Sequence, residues 1–493
     1  MLHLLSNHPN MSNCKFKWKA ASLSVFLFFG LFTKLSAQSK VWTLEECIQH
    51  ALENNIQVQQ NELSQQLADY DLKQAKYNLL PDANGFILHA YNFGQTIDPF
   101  TNQFANTQVR SNSFSLSSNF TIFNGFRNVN TIKRNQAQQK SAKFDLEKMK
   151  NDISLNIANS FLSILFNQEL LKNAESQLKI TQQQIDRIEK QVKAGALAEG
   201  ALKDINAQFA SEELNVVNAE NQLNISKLNL AQILRLESFS DFEVASPNLS
   251  NFNGVKELVS PGALYLSALE TMPEVKSAEF GLYSAHKNTQ IARSGYLPTL
   301  SVSGSIGTGF SGANREFVEI RDEREVPTGN FIRSTGEEVF TTSGTPVFRD
   351  KAFTDQFADN ENKSIRFSLT IPIFNRFSAR IGVKRALIQE QVANLSYESA
   401  KLALRQNIES AHNDAASALK RYKAAEKSVS ALETSFAYTQ ERYNVGIINS
   451  FDFNNEKNRL MNAQSELLQA KYNYIFSTKV LDFYQGGGIS LSK

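Results

Sequence analysis

The sequence predicts an α+β membrane protein built as a tandem repeat of long coiled-coil helices and β-hairpins. Three observations support this class. Two halves of the chain match at a fixed separation, the hydrophobic period changes within each half, and two long windows lack helix-breaking residues. In the 493-residue chain, windows 126–194 and 383–445 contain neither proline nor glycine. Since these two residues most strongly disfavour helix interiors, each window predicts one uninterrupted helix.

An internal repeat organises the chain. The segment Phe114–Phe126 (FSLSSNFTIFNGF) matches Ile365–Phe377 (IRFSLTIPIFNRF) at a separation of 251 residues. Almost 80 residues further on, Val192–Gly195 matches Tyr443–Gly446 at the same separation. Two distant matches with one separation indicate duplicated segments of equal length, which is the signature of a repeat architecture.

The second copy is longer than the first between its two strands. The Leu-Pro pairs that begin at residues 80 and 297 are separated by only 217 residues, so the second copy carries 34 additional residues. They fall within 308–362, a segment rich in Gly, Thr and charge, which we predict to be a long exposed loop. The repeats are assigned to 38–235 and 263–485, with an equatorial linker over 236–262.

Each copy begins with a helical segment. Segments 44–79 and 263–296 read as helices that end before Pro81 and Pro298. Proline disfavours the α conformation in the residue before it, so a Leu-Pro pair is a natural helix end.

A β-hairpin follows, predicted over 82–124 in the first copy and 298–374 in the second. Large apolar residues alternate there with Ser, Thr, Asn or Arg, which is the period of a strand with two different faces. Only 82–94 is ambiguous, because both of its faces carry large apolar residues. The apolar positions are Phe114, Leu116, Phe120 and Ile122, then Leu300, Val302 and Ile306, and then Ile365, Phe367, Leu369, Ile371 and Ile373. Taken alone, such a face is most often the core side of a soluble sandwich.

The long helices, predicted over 126–193 and 377–443, carry a coiled-coil seam. Apolar or small residues recur there at alternating spacings of four and three. The second seam is Leu404, Ile408, Ala411, Ala415, Ala418, Tyr422, Ala425, Val429, Leu432, Phe436, Thr439 and Tyr443, and the first has the residues 251 positions earlier. At ~1.5 Å per residue each helix is roughly 100 Å long. Return helices are predicted over 201–235 and 450–484, leaving a tail at 486–493.

The N-terminus predicts export. Three lysines at 15, 17 and 19 precede an apolar run at 20–32, and Ser36 and Ala37 follow. This is the order of a secretory signal peptide, which we assign to residues 1–37. At 13 residues, this run is too short to span a bilayer.

The mature chain shows little sign of enzymatic chemistry. Removal of residues 1–37 takes away four lysines and changes the formal charge from +2 to −2, which argues against nucleic acid as a partner. Cys47 is then the only cysteine, and the six histidines of the full sequence are scattered along it, so we expect no metal, no cofactor and no catalytic residues.

The strands require more than one chain. Four strands cannot close a membrane barrel, for which about eight is the minimum, and the helices lead away from the hairpins over ~100 Å and leave the apolar faces uncovered. We therefore expect several chains to contribute hairpins to one barrel.

These features resemble the TolC-like outer-membrane efflux channel family over essentially the whole mature chain. The resemblance rests on the opening Trp42–Ile48 (WTLEECI), the two Leu-Pro helix ends, Ile371–Phe374 (IPIF) and Tyr443–Gly446 (YNVG). It implies a homotrimer with a 12-stranded β-barrel continuous with a 12-helix periplasmic α-barrel. It also implies a passive exit duct in outer-membrane lipid. The duct would dock on a periplasmic adaptor (a membrane fusion protein) and an inner-membrane pump of the RND, ABC or a similar class, in efflux or type I secretion.

The resemblance also implies a periplasmic entrance constriction. Asp452 matches the first acidic residue of the family after the second tip, and Asn455 stands where the second can be aspartate. One interpretation is a ring of Asp452 carboxylates that favours cations. The other is a helix start capped by Asn449 or Ser450, with Asp452 in the first turn. The two interpretations are compatible.

Two residues are candidate gate contacts. Tyr443 matches a family gate tyrosine but also completes the heptad seam, so packing is the simpler explanation for it. Ile448 replaces a basic residue that some relatives use as a latch, and Arg442 is the candidate substitute.

The helix reversals resemble the family's adaptor-docking tips, although any helical hairpin needs similar glycines. Their residues are Val192, Gly195, Ala196, Leu197, Val445, Gly446 and Ile447. The alternative to a channel is an exported coiled-coil structural or adhesin protein, which would explain the seams but not two hairpins placed between helices. A periplasmic adaptor, the other rival, would have a single helical hairpin and no tandem repeat.

Overall fold

A computed structural model describes most of the chain. The signal peptide expected at 1–37, most of the linker at 236–262 and most of the tail at 486–493 lie outside the described residues. The described ranges are 41–98, 100–102, 104–105, 108–237, 242–246 and 259–487.

The first repeat opens with two helices where the sequence predicts one. Strand β1 (Val41–Trp42) leads into α1 (Leu44–Asn54), which a Thr43–Glu46 capping box begins. Helix α2 (Ile56–Tyr77) follows after a single extended residue, Asn55. The Asn55 side chain accepts from the backbone N–H of Gln57 at 2.9 Å and donates to the carbonyl oxygen of Ile233 at 3.1 Å. The break thus lets one asparagine cap α2 and hold a neighbouring helix.

The long helices lie close to the predicted bounds. Helix α3 spans Arg127–Lys193 and α4 spans Glu199–Leu234. In the second repeat the corresponding helices α8 and α9 span Ser378–Asn444 and Ser450–Tyr484. Each long helix therefore reverses into a return helix of about half its length.

The helix preceding the second hairpin is also divided. Helices α5 (Pro261–Thr271) and α6 (Pro273–Arg293) are separated by Met272, whose extended backbone precedes a proline. A 3₁₀ turn at Ser294–Tyr296 then leads to the strands. Helix α6 packs against both α3 and α8 and so joins the two repeats.

Four strands form one antiparallel sheet that includes both hairpins. The strands β2 (Asn84–Asn92) and β5 (Val109–Asn124) pair in the first repeat, and β7 (Thr299–Ser311) and β10 (Asn362–Thr370) pair in the second. The pairing of β5 with β7 joins the hairpins, in the order β10-β7-β5-β2. Among the described strands, β2 and β10 each pair on one side only.

Most apolar residues of β5, β7 and β10 lie on one face of this sheet, whereas Phe86 and Leu88 of β2 lie on the other face, opposite Ser115 and Ser113. The register places Leu116 opposite Ile306, and Phe367 opposite Val302. Many of these side chains are exposed, as are Ile87, Leu116, Ile365, Phe367 and Leu369. The other face carries the serines and threonines, so the sheet has an uncovered apolar side in the single chain.

The insertion of the second repeat differs from the predicted loop. After β7 come a long hairpin, formed by β8 (Arg315–Phe331) and β9 (Glu338–Asp350), and a short helix α7 (Phe353–Asp359). The segment is exposed, as expected, but alternation of Phe, Val and Ile with Thr, Ser and charged residues supports strands. Two short strands, β3 (Thr96–Ile97) and β4 (Phe104–Ala105), pair within the β2–β5 connection.

The cores lie along the helices. One cluster around α1, α3, α4 and α9 includes Ile153, Ile157, Ile164 and Leu230, and a second around α5, α8 and α9 includes Leu404 and Ile408. Near the middle of the rods, β1 pairs in parallel with β6 (Glu243–Val244) of the linker. Along the part of the chain that the structure describes, none of the helices combines the length and hydrophobicity required to cross a membrane.

Candidate functional site

The two helix reversals share one backbone solution. Gly195 and Gly446 adopt left-handed φ values of 73° and 79°. The backbone N–H of Ala196 donates to the carbonyl oxygen of Gln191, and that of Ile447 donates to that of Arg442, each at 2.9 Å. These are Schellman bonds, in which a glycine with positive φ closes the last turn. The repeated glycines are therefore required by the turns themselves.

Apolar side chains project from these tips. Val445, Ile447 and Phe451 are 68, 66 and 76% exposed, and Leu197 is 39% exposed. Val192 is half-buried. Phe451, an aromatic residue in the first turn of α9, was not predicted from the sequence, although a large apolar residue next to Asp452 on a polar helix is a signal for an exposed contact. An exposed apolar cluster of this kind is typical of a protein-binding surface.

Asp452 lies in the first turn of α9. Its backbone N–H donates to the Oδ1 atom of Asn449 at 2.9 Å, so Asn449 is the N-cap. The cap uses the backbone of Asp452, and its side chain is exposed, as is that of Asn455. The carboxylate is therefore placed both to favour the helix N-terminus and to face solvent.

Tyr443 makes its contacts within its own helical hairpin. Its ring stacks on Phe453 with the centroids 4.6 Å apart, and its hydroxyl lies 3.3 Å from the hydroxyl of Ser450. Phe436 packs against the same Phe453 ring at 5.3 Å. Tyr443 thus ties the end of α8 to the start of α9, as a residue of the heptad seam does.

Arg187, which was not predicted from the sequence, donates hydrogen bonds that join the two tips. Nη1 of Arg187 donates to Oδ1 of Asn444 at 2.7 Å, and Nη2 donates to its carbonyl oxygen at 3.3 Å. Arg187 lies on α3 and Asn444 ends α8, so this bond crosses between the repeats. A cation also suits the C-terminus of α8, where the helix dipole is negative. Arg442, the residue proposed from sequence, is exposed, and its carbonyl accepts the Schellman bond.

A buried polar cluster lies further from the tips, between α3, α4 and α9. Nζ of Lys457 donates to Oε1 of Glu212 at 3.0 Å and also to the hydroxyl of Thr181. That hydroxyl in turn donates to Oε2 of Glu212. The Lys457 and Glu212 side chains are only 2 and 3% exposed. Burial lowers the pKa of Lys457, and the neighbouring Glu212 carboxylate opposes this effect.

Sequence signals for this cluster existed. Thr181 occupies a seam position of α3, and Glu212 continues the seven-residue series Ile205, Glu212, Ala219 on α4, all buried. Lys457 follows the buried Phe453 by four residues. Charged or polar residues at positions that a heptad reserves for apolar ones predict a buried polar contact. The sequence does not show which of these residues contact each other, because Thr181, Glu212 and Lys457 lie on three different helices.

The described ranges offer little for bound metal. Within them, no group of three or more His, Cys, Asp or Glu side chains is arranged to hold an ion. The exposed features of the described chain are the apolar face of the sheet, the tips and the acidic residue beside them.

The chain is similar to known proteins along most of its length. Residues 47–234 and 264–487 match the outer membrane efflux protein family. Over 387 residues, covering 73% of this chain and 72% of the relative, it is 23% identical to the outer membrane protein TolC of Escherichia coli K12.

Solved structures show the same fold. A crystal structure of CusC covers 90% of this chain and 92% of its own, with 18% identity and a TM-score of 0.72. The outer membrane protein VceC of Vibrio cholerae covers 90% and 96%, with 15% identity and a TM-score of 0.70. Since the family match includes the helices of both repeats, this chain belongs to the outer membrane efflux protein family.

Proposed function

We propose that this outer-membrane protein is one subunit of a passive exit duct in a tripartite efflux or type I secretion system. In this proposal three copies close a 12-stranded β-barrel in the outer membrane. Their helices form a 12-helix periplasmic tube that docks on an adaptor and an inner-membrane pump. The observation that carries the proposal is the four-stranded sheet, with one exposed apolar face and two edges, β2 and β10, paired on one side only.

The exposed apolar face and the two edge strands of the sheet support closure of a barrel by further copies of the chain. Edge strands with unpaired backbone groups favour pairing with another chain, and a spanning sheet in lipid must be closed to satisfy every backbone group. Joining β10 of one copy to β2 of the next would remove both edges. The apolar face would then meet lipid, and the Ser- and Thr-rich face would line an aqueous interior, as in outer-membrane barrels.

The helices support a long conduit with a docking end. At ~1.5 Å per residue, the 67 residues of α3 or α8 extend roughly 100 Å from the sheet. The exposed apolar tips lie at their far ends and offer a surface for an adaptor. Relatives named a cation efflux system protein and a toxin and drug export protein export different cargo, so the family leaves the substrate class open.

A matched pair of arginine substitutions tests the orientation of the sheet. Phe367 lies on the apolar face and its neighbour Ser368 on the opposite one. An arginine facing lipid at mid-depth costs about 2–4 kcal/mol. We expect Phe367→Arg to reduce the amount of protein recovered in the outer membrane, and Ser368→Arg to insert normally but alter ion selectivity in planar bilayers.

Two measurements on the unmodified protein decide the function. A duct should run as a heat-sensitive oligomer on gels and should raise the conductance of a planar bilayer. A coiled-coil adhesin, the second candidate, would tolerate both arginine substitutions equally and would leave bilayer conductance unchanged. That result would remove the duct proposal.

A further inference from the structure

The connection between β2 and β5 contains a tight turn held by a buried carboxylate. Oδ1 of Asp98 accepts from the backbone N–H groups of Phe100 and Thr101 at 3.0 and 2.8 Å, and from the Thr101 hydroxyl at 3.0 Å. The backbone N–H of Asn102 donates to the carbonyl oxygen of Asp98 at 2.9 Å. Oδ2 accepts from the hydroxyl of Ser311, the last residue of β7, and Asp98 is only 1% exposed. We call Asp98, Phe100, Thr101 and Asn102 the Asp98 turn, which one carboxylate ties to the sheet.

The Asp98 turn lies on the serine-rich face of the sheet. Gly309 and Ser311 are two residues apart on β7 and so share a face, and the register places Ser113 and Ser111 opposite them. A Cβ atom on residue 309 would overlap the ring of Phe100, so this ring rests on the strand where the glycine leaves room. Ser111 and Ser311 are 7 and 0% exposed. The turn therefore covers the serine-rich face at this end of the sheet.

Helix α7 packs on the other face at the same end of the sheet. Phe310 follows Gly309 and therefore lies on the apolar face, where its ring packs against that of Phe353 with the centroids 5.4 Å apart. The side chain of Gln356 accepts from the backbone N–H of Ser311 at 2.9 Å and donates to the same residue's carbonyl oxygen at 3.0 Å. The end of β7 is thus held from both sides, which gives the Asp98 turn a fixed support.

The Asp98 turn lies at the end of the sheet away from the helices. Helix α2 leads into the start of β2, and the end of β5 leads into α3, so the helices join the sheet at its other end. In the proposed duct the helices extend into the periplasm, and the end with the turn opens to the cell exterior. The serine-rich face lines the interior in the same arrangement. The turn would therefore lie inside the outer mouth of the duct.

We propose that the Asp98 turn narrows the outer mouth of the duct and limits the size of the molecules that leave through it. This inference rests on the proposed function, which directs the serine-rich face of every subunit inward. Subunits related by rotation carry their turns at one height, so the turns form a ring. Residues on the interior of outer-membrane barrels tune selectivity. The turn adds a layer of backbone and side chains to that interior, and the bond between Asp98 and Ser311 holds this layer in place.

A thiol introduced on each face tests the position of the turn. Asn102 is exposed on the Asp98 turn, and Asn112 lies on β5 opposite Phe310, on the apolar face at the same end of the sheet. In a Cys47→Ala background, we expect a charged methanethiosulfonate to lower the single-channel conductance of Asn102→Cys and to leave that of Asn112→Cys unchanged. If the thiol at residue 102 does not react, or reacts, as a mass shift shows, without a loss of conductance, the turn is not in the path and the inference is wrong.

A matched pair of phenylalanines tests whether the turn narrows the mouth. Phe100 lies on the serine-rich face and Phe353 packs on the apolar face at the same end of the sheet. We expect Phe100→Ala to raise the single-channel conductance and to admit larger sugars in liposome-swelling assays, because it removes a ring from the interior. Phe353→Ala should match the unmodified protein in both assays, and the unheated oligomer on gels shows that each variant has assembled. Equal values for the two variants would contradict the inference.

The unmodified protein separates the failure of this inference from that of the proposed function. If it runs as a heat-sensitive oligomer and conducts, but neither modification of Asn102→Cys nor Phe100→Ala alters the conductance, the duct has no constriction at the Asp98 turn. If it is a monomer without conductance, the proposed function itself fails, and the inference falls with it.

Discussion

Lys457 and Glu212 form a buried ion pair, 3.0 Å from nitrogen to oxygen, that joins the second helical hairpin to the first. Lys457 belongs to α9 and Glu212 to α4, and Thr181 of α3 bonds to both. Burying two charges is costly even when they are paired, so such a pair is a poor source of stability but a strong constraint on register. It fixes which turns of the three helices face each other in the half of the rods nearer the tips.

Breaking this pair on one side should be costly. Lys457→Ala leaves Glu212 buried without its cation, and we expect the free energy of unfolding to fall by about 3–5 kcal/mol. The double variant Lys457→Met with Glu212→Leu removes both charges and should recover most of that loss. Thermal unfolding of the detergent-purified protein measures both. An equal loss in the single and double variants would contradict this account, and Lys143→Ala, in an exposed pair with Glu147, is the control.

Arg187 should restrain the tips. Arg187→Ala removes both hydrogen bonds to Asn444, which are worth about 1 kcal/mol together at an exposed site. We expect faster hydrogen exchange in the last turn of α8 and a higher single-channel conductance. Arg187→Lys keeps the charge but loses the planar fork, so it should be intermediate. Unchanged exchange in Arg187→Ala would show that the bond does not hold the tips together.

Asp452 should determine cation block at the entrance. If one carboxylate from each subunit faces the opening, Asp452→Asn removes the ring charge. We expect the half-blocking concentration of a divalent cation to rise by about tenfold, equivalent to about 1.4 kcal/mol. Asn455→Asp adds a second acidic position and should strengthen the block. If the unmodified protein and both variants are blocked equally, Asp452 does not form a cation-binding ring and acts only in the first turn of α9.

The tips should be sensitive to charge. A glutamate at Ala196 or Ile447 places a carboxylate on the exposed apolar surface, where docking would have to desolvate it. We expect crosslinking to an adaptor hairpin to be lost while oligomer and conductance are retained. Lys203→Glu, a charge reversal at an exposed position of α4, should crosslink normally. If both glutamate variants crosslink normally, the tips are not the docking surface.

Tyr484 should contribute to stability that is lost in alkali. Burial, with smaller effects from Glu274 and Asp152, raises its pKa to about 12. Because the folded state holds this proton more tightly than the unfolded state, the contribution is complete below pH about 10 and is lost as pH rises towards 12. The free energy of unfolding should therefore fall less steeply with pH in Tyr484→Phe than in the unmodified protein. The difference between the two slopes should be about 1.4 kcal/mol for each pH unit in this interval. Tyr438→Phe, at an exposed site, should follow the unmodified protein, and parallel curves for all three would refute the assignment.

The duplicated architecture could be predicted from the sequence because it follows from patterns among residues that are near each other in the chain. The period of the seam gives the helices, as at Ile153, Ile157 and Ile164, which are all buried. The alternation at Phe367–Leu369 gives the strands, and the glycines at 195 and 446 give the reversals. Each of these signals depends only on residues a few positions apart, so it can be recognised without knowing how the rest of the chain folds.

Only the tertiary structure decided which residues meet across the repeats. Arg187 meets Asn444, and Lys457 meets Glu212, over sequence separations of 257 and 245 residues. The breaks at Asn55 and Met272 and the ordered β8–β9 hairpin likewise depend on packing against distant elements or on pairing along the insertion. Local periodicity fixes which face of an element is apolar. The partner of that face is set by how whole helices and strands fit together.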